Sequence, residues 1–462
     1  MDIRVSKPPV CVSETSRKKR FPRFNGRLTL LALFVLGLSS FSFAAANVAV
    51  GTCTKLAFYN TIQIAINHVP AGSTIHVCPG TYPEQLTITK SLIIVGDSAN
   101  GNAAATASGA YDPVITAPAA GLTANATDLF DNSGIAAQIF VQTPPGAAQP
   151  TSVTITNIAV DGSNNQITGC GPDLVGIYYQ NASGTLSHVV ARNQQLTQDL
   201  FGCQSGLGIF VESGYGSGGQ AVVNINTSSV HGYQKNGITV DGSGTSATLT
   251  GNYVVGVGPT PLIAQNGIQV SDGATGKISN NSVTDDVYIN PDGGPYASAS
   301  GILLYDSGGA PGAPINVSGN FVTNTQNGIV TFGDSSGNAD YNNISGNRIM
   351  QTVAAGPFLL DGIDMCSSNN NANANTVFNS AGAGVHIDTE CTEMSGQSGA
   401  NSTATGNVVN EACAGILLGS SGAAAQTLAF NVGATVASGD SCPAATPSAR
   451  VKSRPRPQPK RP

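Results

Sequence analysis

A Gly-Ile unit followed by a further apolar residue returns at nearly constant spacing through most of the chain. It occurs nine times, with Val in place of Ile once, and its glycines are Gly176, Gly208, Gly237, Gly267, Gly301, Gly328, Gly362, Gly384 and Gly415. Their average spacing is about 30 residues, a period typical of solenoid proteins. A second unit precedes several of them, in which Gly or Asn is followed by Asn and, two residues later, by an apolar residue. Its central residues are Asn252, Asn281, Asn320, Asn347 and Asn407.

Both units alternate apolar with polar residues, which is the pattern of a strand with one buried face. One such strand pair cannot bury its apolar face alone, but stacked repeats close a continuous core, with each strand pairing in parallel with its equivalent one coil on. We therefore predict an all-β, single-stranded right-handed parallel β-helix of ten or more coils. The repeated Asn residues are expected at one turn of each coil, in left-handed conformation and hydrogen-bonded as a ladder.

The first coils are readable as well. Thr61 to Val69 has apolar residues at helical spacing, which predicts a short helix that covers the open end of the solenoid. Strands are expected over Thr74 to Val77, Gln85 to Ile88 and Ser91 to Val95. Residues 97–150 are rich in Ala, Gly, Pro and Asn, and we interpret them as a long excursion between coils.

The two ends of the 462-residue chain differ from the middle in composition. Residues 1–46 carry a basic segment, the apolar run from Leu28 to Leu38 and small residues up to Ala46, which together predict a signal peptide. The apolar run is shorter than the ~20 residues that span a bilayer, so no membrane span is expected in the mature protein. We assign residues 47–440 to the β-helix domain and residues 441–462 to a disordered, basic, Pro-rich tail.

Cysteine usage also predicts an extracytoplasmic protein, in the periplasm, at the cell surface or outside the cell. Eight of the nine cysteines follow the predicted signal peptide, an even number that fits disulfides. The simplest connectivity pairs neighbours: Cys53 with Cys78, Cys170 with Cys203, Cys366 with Cys391, and Cys413 with Cys442.

Charge limits the partners. The segment 47–449 contains 24 acidic and 6 basic residues, a net charge of −18. Such a surface repels polyanions, which argues against nucleic acid and bare polyuronates as partners. We expect a monomer.

The segment from Tyr59 to Gly96, with the phrase Gly80-Thr-Tyr82-Pro-Glu84, resembles the opening of the pectin-lyase-like superfamily, and the later repeats resemble its generic β-helix region. The resemblance implies the fold over roughly residues 55–435 and no single activity. Pectinesterase-like and polygalacturonase-like site motifs are absent or in the wrong order. A pectate-lyase-like site needs an Arg base beside calcium-binding Asp, and the β-helix segment has only Arg192 and Arg348.

The repeat register predicts which side chains face outward on one sheet. In each Gly-Ile-x-apolar unit, x and the residue two further on should point away from the core and form two columns with ~4.8 Å steps. Aromatic residues occur along these columns, and their rings could stack on sugars. Acidic residues lie beside them in the same columns. The predicted substrate-binding residues are Tyr178, Phe210, Glu212, Asp241, Tyr305 and Phe332. A loop folded over the rings is the alternative.

The same register places Asp364 and His386 at one position on adjacent coils, with Asp388 two residues on and Asp361 and Glu390 nearby. A carboxylate–imidazole pair with a second carboxylate can perform general acid–base catalysis or hold a divalent metal. We predict Asp364, His386 and Asp388 as catalytic residues, with a surface ion pair as the alternative.

Five acidic residues, Asp241, Asp272, Asp306, Asp334 and Asp388, follow the same strand of successive coils; they fit turns or, alternatively, a calcium site. Asp285 and Asp286 are expected to be solvated.

Two functions fit these features. The first is a secreted protein that binds or cleaves a polysaccharide along the exposed sheet, as a lyase or glycoside hydrolase if it is an enzyme. The second is a non-catalytic surface or adhesion β-helix whose basic tail binds anionic polymer. The position of the Asp364–His386–Asp388 group, open to the groove or covered, discriminates between them.

Overall fold

The computed structural model describes residues 44–97, 113–289, 298–333, 339–353, 360–388, 399–419, 427–429, 436–438 and 442. Apart from one α-helix and one 3-10 turn, the regular structure of these residues is β-strand. The strands form three long parallel sheets that the chain visits in turn, so that each circuit is one coil. The predicted right-handed parallel β-helix is confirmed.

The strands of each sheet follow one another along the solenoid axis. In spatial order, the first sheet contains Phe58–Tyr59, Asn47–Val50, Thr74–Val77, Leu92–Gly96, Ser152–Thr156, Ser183–Ser187, Ala221–Asn226, Thr245–Thr250, Thr275–Ser279, Ile315–Ser318, Asn342–Ser345, Asn371–Asn373, Thr403–Thr405 and Thr427–Ala429. The second contains Thr81–Pro83, Val114–Thr116, Ala159–Asp161, Val190–Arg192, Ser229–His231, Tyr253–Thr260, Ser282–Tyr288, Phe321–Thr325, Arg348–Thr352, Thr376–Phe378 and Val408–Asn410. The third contains Leu86–Ile88, Gly134–Gln142, Asp173–Gln180, Leu207–Glu212, Asn236–Asp241, Asn266–Ser271, Ser300–Tyr305, Asn327–Phe332, Ile363–Met365, Val385–Ile387, Ile416–Leu418 and Val436–Ser438, and Ala126–Thr127 pairs antiparallel with its second strand.

The repeated glycines are explained by the distance between coils. A Cβ atom built on Gly267 would lie 2.7 Å from the carbonyl oxygen of Gly301, the equivalent glycine one coil on, and 2.3 Å from a methyl carbon of Val283. Most other glycines of the unit meet the same kinds of neighbour, namely the carbonyl oxygen of the next glycine and a methyl group of Val or Ile: Gly208, Gly237, Gly301, Gly328, Gly362 and Gly384. The Gly-Ile unit is therefore a steric requirement of coil stacking.

The predicted Asn ladder is present and buried. From Asn252 to Asn407, each side-chain Nδ2 donates to the Oδ1 of the next ladder Asn at 2.9–3.0 Å. Each Oδ1 also accepts the backbone N–H of the preceding ladder residue. The left-handed conformation lies one residue earlier than predicted, at Gly251, Asn280, Gly319, Gly346, Ala374 and Gly406. At each turn, therefore, one residue takes the left-handed conformation that bends the chain, and the next residue, the ladder Asn, makes the hydrogen bonds between coils.

The predicted capping helix runs from Ile62–His68, with Thr61 as its N-cap. Ile62, Ala65 and Ile66 are buried against the first coils. The carboxylate of Glu84, from the Gly-Thr-Tyr-Pro-Glu phrase, accepts the N–H groups of Ile62 and Gln63 at 2.8 and 2.9 Å. The phrase that carried the superfamily resemblance therefore fixes the end of the fold.

Two predictions about local structure are wrong. Residues 97–150 are not simply an excursion, because Val114–Thr116 belongs to the second sheet and Gly134–Gln142 is a nine-residue strand of the third. Asp286 is fully buried rather than solvated and accepts a 2.5 Å hydrogen bond from the hydroxyl of Tyr233. Burial raises the pKa of Asp286 well above its ordinary value.

Three of the predicted disulfides are confirmed: Cys53–Cys78, Cys170–Cys203 and Cys413–Cys442. Cys366 is also disulfide-bonded, while Cys391 lies outside the described residues. No helix in the described ranges has the length and apolar character to cross a membrane. The predicted signal peptide falls outside those ranges apart from residues 44–46, and the tail falls outside them apart from Cys442, so both stay predictions.

Candidate functional site

The two outward columns of the third sheet have the predicted register. Tyr178, Phe210, Thr239, Gln269, Leu303, Val330, Asp364, His386 and Leu417 are paired in succession, as are Gln180, Glu212, Asp241, Ser271, Tyr305 and Phe332. The sequence therefore predicts which side chains share this face. What covers the face decides their role.

The first aromatic residues of the column are not exposed, contrary to prediction. Tyr178 and Phe210 stack with ring centroids 4.9 Å apart and are buried in a small outer cluster with Phe140 and Ile135. These two rings therefore fit the alternative prediction, in which a loop folds over them. Further along, Tyr305 and Phe332 stack at 5.8 Å and are half-buried.

Glu212 lies beneath this cover and holds a loop in place. Its carboxyl group accepts the hydroxyl of Tyr178 and, at 2.9 Å, the backbone N–H of Leu129. Gln180 donates a 2.6 Å bond to the carbonyl oxygen of Thr127 in the same loop. Burial raises the pKa of Glu212 to about 8, with the negative charge of Asp128 adding to the effect. Glu212, predicted to bind substrate, is fully buried and is instead a loop anchor.

The anchored loop forms one wall of a cleft of about 240 Å³ on the third sheet, which we call the acidic cleft. It is lined by Asp128, Phe130, Asp131, Ser133, Ile135, Asp173, Val175, Gln204, Leu207, Phe210, Lys235, Asn236, Thr239, Asp241 and Gln269. Four of these are acidic and one is basic. Phe130 stands at the rim with 67% of its surface exposed and meets Tyr215 edge to face at 5.4 Å.

One end of the acidic cleft holds two carboxyl groups on a shared serine. The backbone N–H of Ser133 donates to Asp131 at 2.7 Å, and its hydroxyl donates to Asp173 at 3.3 Å. Burial, together with the charges of Asp131 and Asp128, raises the pKa of Asp173 to about 6. Asp131 itself is exposed. The two groups therefore differ in environment although one residue bridges them.

Asp241 and Lys235 also line the acidic cleft. Asp241 accepts the hydroxyl groups of Tyr215 at 2.6 Å and Ser271 at 2.5 Å. Burial and the adjacent Asp241 raise the pKa of Asp272 to about 7. Burial lowers the pKa of Lys235 to about 8, and its ammonium group donates to the carbonyl of Ala264 at 2.9 Å. Of the predicted substrate-binding residues, Asp241 and Phe210 line this cleft.

A second group, the histidine–carboxylate cluster, consists of Asp361, Asp364, His386 and Asp388. Asp364 and His386 are paired on adjacent coils as predicted, but the Nδ1 atom of His386 bonds to Asp361, at 3.0 Å. The other oxygen of Asp361 accepts the N–H of Ala383 at 2.5 Å. One donor atom from each of Asp361, Asp364 and His386 lies within 4.8 Å of the others, and the same holds for Asp364 and Asp388. Glu390 is outside the described residues.

Charge inside the histidine–carboxylate cluster is unbalanced. Burial and the negative charge of Asp388 raise the pKa of Asp364 well above its ordinary value. Although burial favours a neutral ring, the hydrogen bond from Asp361 and the surrounding carboxylates raise the pKa of His386 to about 9. Asp364 and Asp388 are half-buried, whereas Asp361 and His386 are buried.

Sequence reasoning missed Asp131, Asp173, Phe130 and Lys235. Asp128 accepts the N–H groups of Phe130 and Asp131, so the segment Asp128-x-x-Asp131 is an Asx-type turn that a search for turn motifs could have found. The position of this turn over the third sheet depends on the buried contacts of Glu212 and Gln180, and no local sequence pattern predicts those contacts. For the calcium alternative, Asp241 lies in the acidic cleft and Asp272 beside it, while Asp334 is outside the described residues.

The comparisons with known proteins agree on the fold. The family described as "Right handed beta helix region" matches residues 236–431. Similar solved structures include DFA-IIIase from Arthrobacter chlorophenolicus without its lid, 13% identical, with a TM-score of 0.51 over 86% of this chain and 99% of that one. They also include the mannuronan C-5 epimerase A-module of Azotobacter vinelandii, 13% identical, with a TM-score of 0.48 over 82% and 91%. A third is lacto-N-biosidase from Eubacterium ramulus, 12% identical, with a TM-score of 0.48 over 86% and 68%.

A search of curated proteins found no match. At 13% identity, the DFA-IIIase structure shows a shared fold and nothing about the chemistry of this chain. The matched repeats and the three-sheet coil identify the chain as a right-handed parallel β-helix protein.

Proposed function

We propose that the protein is a secreted carbohydrate-active protein that binds a neutral polysaccharide in the acidic cleft and hydrolyses it there. The observation that carries this proposal is the pair Asp131 and Asp173, joined by Ser133 beside the exposed ring of Phe130. The solved neighbours share only the fold, so the chemistry is argued from the cleft.

Recognition follows from the lining. The face of Phe130 offers a stacking surface for the C–H face of a sugar ring. Asn236, Thr239 and Gln269 present amide and hydroxyl groups along the floor of the cleft, which suits the hydroxyl groups of a glycan. The four aspartates repel uronate carboxylates, so a neutral or amino sugar fits better than a polyuronate.

Hydrolysis needs one protonated and one ionised carboxyl group near the same bond. Asp173 is the general acid, because its pKa of about 6 leaves a useful protonated fraction in mildly acidic solution. Asp131 is the base or nucleophile, since it is exposed and held by the Ser133 N–H. A buried acid paired with a solvated carboxylate is a recurrent division of roles in glycoside cleavage.

The test is a screen of the mature protein against neutral and acidic polysaccharides, measured by reducing-sugar release and by affinity electrophoresis. We expect Asp173→Asn and Asp131→Asn each to lower the rate at least a hundredfold, within the range of general acid–base contributions. Phe130→Ala should weaken glycan retention by roughly tenfold, as loss of one stacking contact implies. Asp199→Asn is the matched control, because Asp199 is an exposed aspartate on the 3-10 turn and does not line the cleft.

The outcomes separate the alternatives. Retention without cleavage would leave a glycan-binding module and refute the hydrolytic roles of Asp131 and Asp173. An absence of both retention and cleavage across the panel would refute the proposal and favour the non-catalytic surface or adhesion protein. Cleavage that survives both substitutions would move the reaction elsewhere.

The earlier catalytic prediction, Asp364, His386 and Asp388, stays a second candidate. Four coil steps separate the strand of Asp241 from that of Asp364, a distance of about 19 Å at ~4.8 Å a step. The histidine–carboxylate cluster therefore cannot act on a bond held beside Asp131, and parallel measurement of Asp364→Asn and His386→Gln decides whether it acts on another.

A further inference from the structure

We propose that the histidine–carboxylate cluster is a binding site for a first-row divalent cation such as zinc, with His386 and Asp364 as ligands and Asp361 as a positioning residue.

His386 has one nitrogen engaged and one free. Its Nδ1 is fixed by Asp361 at 3.0 Å, whereas its Nε2 is buried and has no hydrogen-bond partner. Only 5% of the residue is exposed, so water does not solvate that nitrogen. A buried polar atom without a partner is unfavourable, and a bound cation would satisfy it.

Asp361 has the contacts of a residue that orients a metal ligand. Both of its oxygens are occupied, one by His386 and the other by the N–H of Ala383. A Cβ atom on Gly382 would lie 2.4 Å from that carboxylate, so the chain makes room for it. A metal-bound histidine commonly donates the N–H of its other ring nitrogen to a carboxylate, which orients the ring toward the metal.

Several carboxylates lie around the ring of His386. Asp364 stands beside His386 on the adjacent strand, and Asp388 lies within 4.8 Å of Asp364. In the described part of the chain, the ion pairs are His76–Asp97, Arg192–Asp161 and His386–Asp361, and none of them includes Lys or Arg at this cluster. A divalent cation would balance the charge.

The donor set selects the class of cation. Imidazole nitrogen suits zinc and its neighbours, whereas calcium prefers six to eight oxygen ligands. Tetrahedral zinc, with bonds of about 2.0–2.2 Å, places two donors roughly 3.3–3.6 Å apart. Asp361, Asp364 and His386 each bring one donor atom within 4.8 Å of the others, so the ligands would have to move closer together when the ion binds. Cys366 also adjoins Asp364 and Asp388, but it is disulfide-bonded and offers no thiolate.

The experiment is calorimetric titration of the full mature chain, freed of metal by a chelator, with Zn²⁺ and separately with Ca²⁺. Cobalt(II) absorption reports the nitrogen ligand. We expect one Zn²⁺ per chain and no competition from Ca²⁺. Asp364→Asn and His386→Gln should each weaken Zn²⁺ binding at least tenfold, and Asp361→Asn should weaken it 10- to 100-fold.

His76→Gln is the matched control, because His76 bonds to Asp97 through Nδ1 at 3.1 Å in the same way but is half-exposed. It should bind Zn²⁺ as the unmodified protein does. Circular dichroism without metal checks the fold of each variant, and if His386→Gln does not fold, Asp364→Asn decides. No Zn²⁺ binding, or unchanged binding in Asp364→Asn, would overturn the proposal. Because no glycan is present, the result is independent of the hydrolytic proposal.

Discussion

Replacing Asn320 with Ala tests whether the Asn ladder holds the coils together. The side chain of Asn320 accepts the N–H and the Nδ2 group of Asn281, each at 2.9 Å. It donates to the carbonyl of Ile278 at 3.0 Å and to Asn347 Oδ1 at 2.9 Å. All four bonds are buried, and a net value near 1 kcal/mol for each gives a loss of about 3–5 kcal/mol once the orphaned groups are included.

The assay has a global and a local part. Urea unfolding measures the loss of stability, and because solenoids can open locally, hydrogen exchange of the peptide containing Asn281 measures it at the site. A local loss of 3 kcal/mol corresponds to roughly a hundredfold faster exchange. Asn343→Ala is the control, since Asn343 is half-buried and makes bonds of 3.2 and 3.3 Å with its column neighbours. Equal effects of the two substitutions would refute the reasoning.

Two further predictions concern packing and pH. Gly267→Ala should destabilise the protein by about 1–3 kcal/mol in thermal unfolding, because the added methyl group would overlap Gly301 and Val283. Gly169→Ala is the control and should have little effect, because the nearest neighbour of the added methyl group is 3.8 Å away. Equal melting temperatures of the two variants would contradict the steric account. Glu212, whose pKa rises from about 4.5 to about 8, stabilises the fold in its protonated form, so this contribution is complete below pH 4.5 and is lost as the pH rises to 8. Glu212→Gln should therefore flatten the decline of melting temperature between these pH values, and an unchanged slope would show that another group is responsible.

The coil register could be predicted from sequence because it depends on local pattern. The Gly-Ile unit marks where each third-sheet strand begins, so pairing of Asp364 with His386 follows from counting alone. The Asn ladder is nearly as local, since five of its members follow Gly or Asn, whereas Asn375, which follows Ala374, was not predicted. The same pattern recurs in successive coils, so a wrong strand register assigned to one coil would conflict with the register of its neighbours.

The partners of the outward side chains could not be predicted, because they come from segments without a repeat. Pairing predicted that His386 would meet Asp364, yet the ring nitrogen bonds to Asp361, which precedes the strand. Asp286 reads as a loop residue, but the hydroxyl of Tyr233 gives it a buried partner. Side-chain direction at the ends of strands depends on neighbours distant in sequence, and these are settled only in the folded molecule.

The acidic cleft shows how the regular and irregular parts depend on each other. Residues 127–133 carry Phe130 and Asp131, and hydrogen bonds within this segment shape the loop. Glu212 and Gln180, both in one outward column, bind its backbone at Leu129 and Thr127. Because these anchors belong to the paired strands, the loop inherits the rigidity of the solenoid, and Asp131 is held near Asp173 before any ligand arrives. Glu212, a predicted substrate-binding residue, is thus buried beneath the cleft and bonds to the loop that lines it.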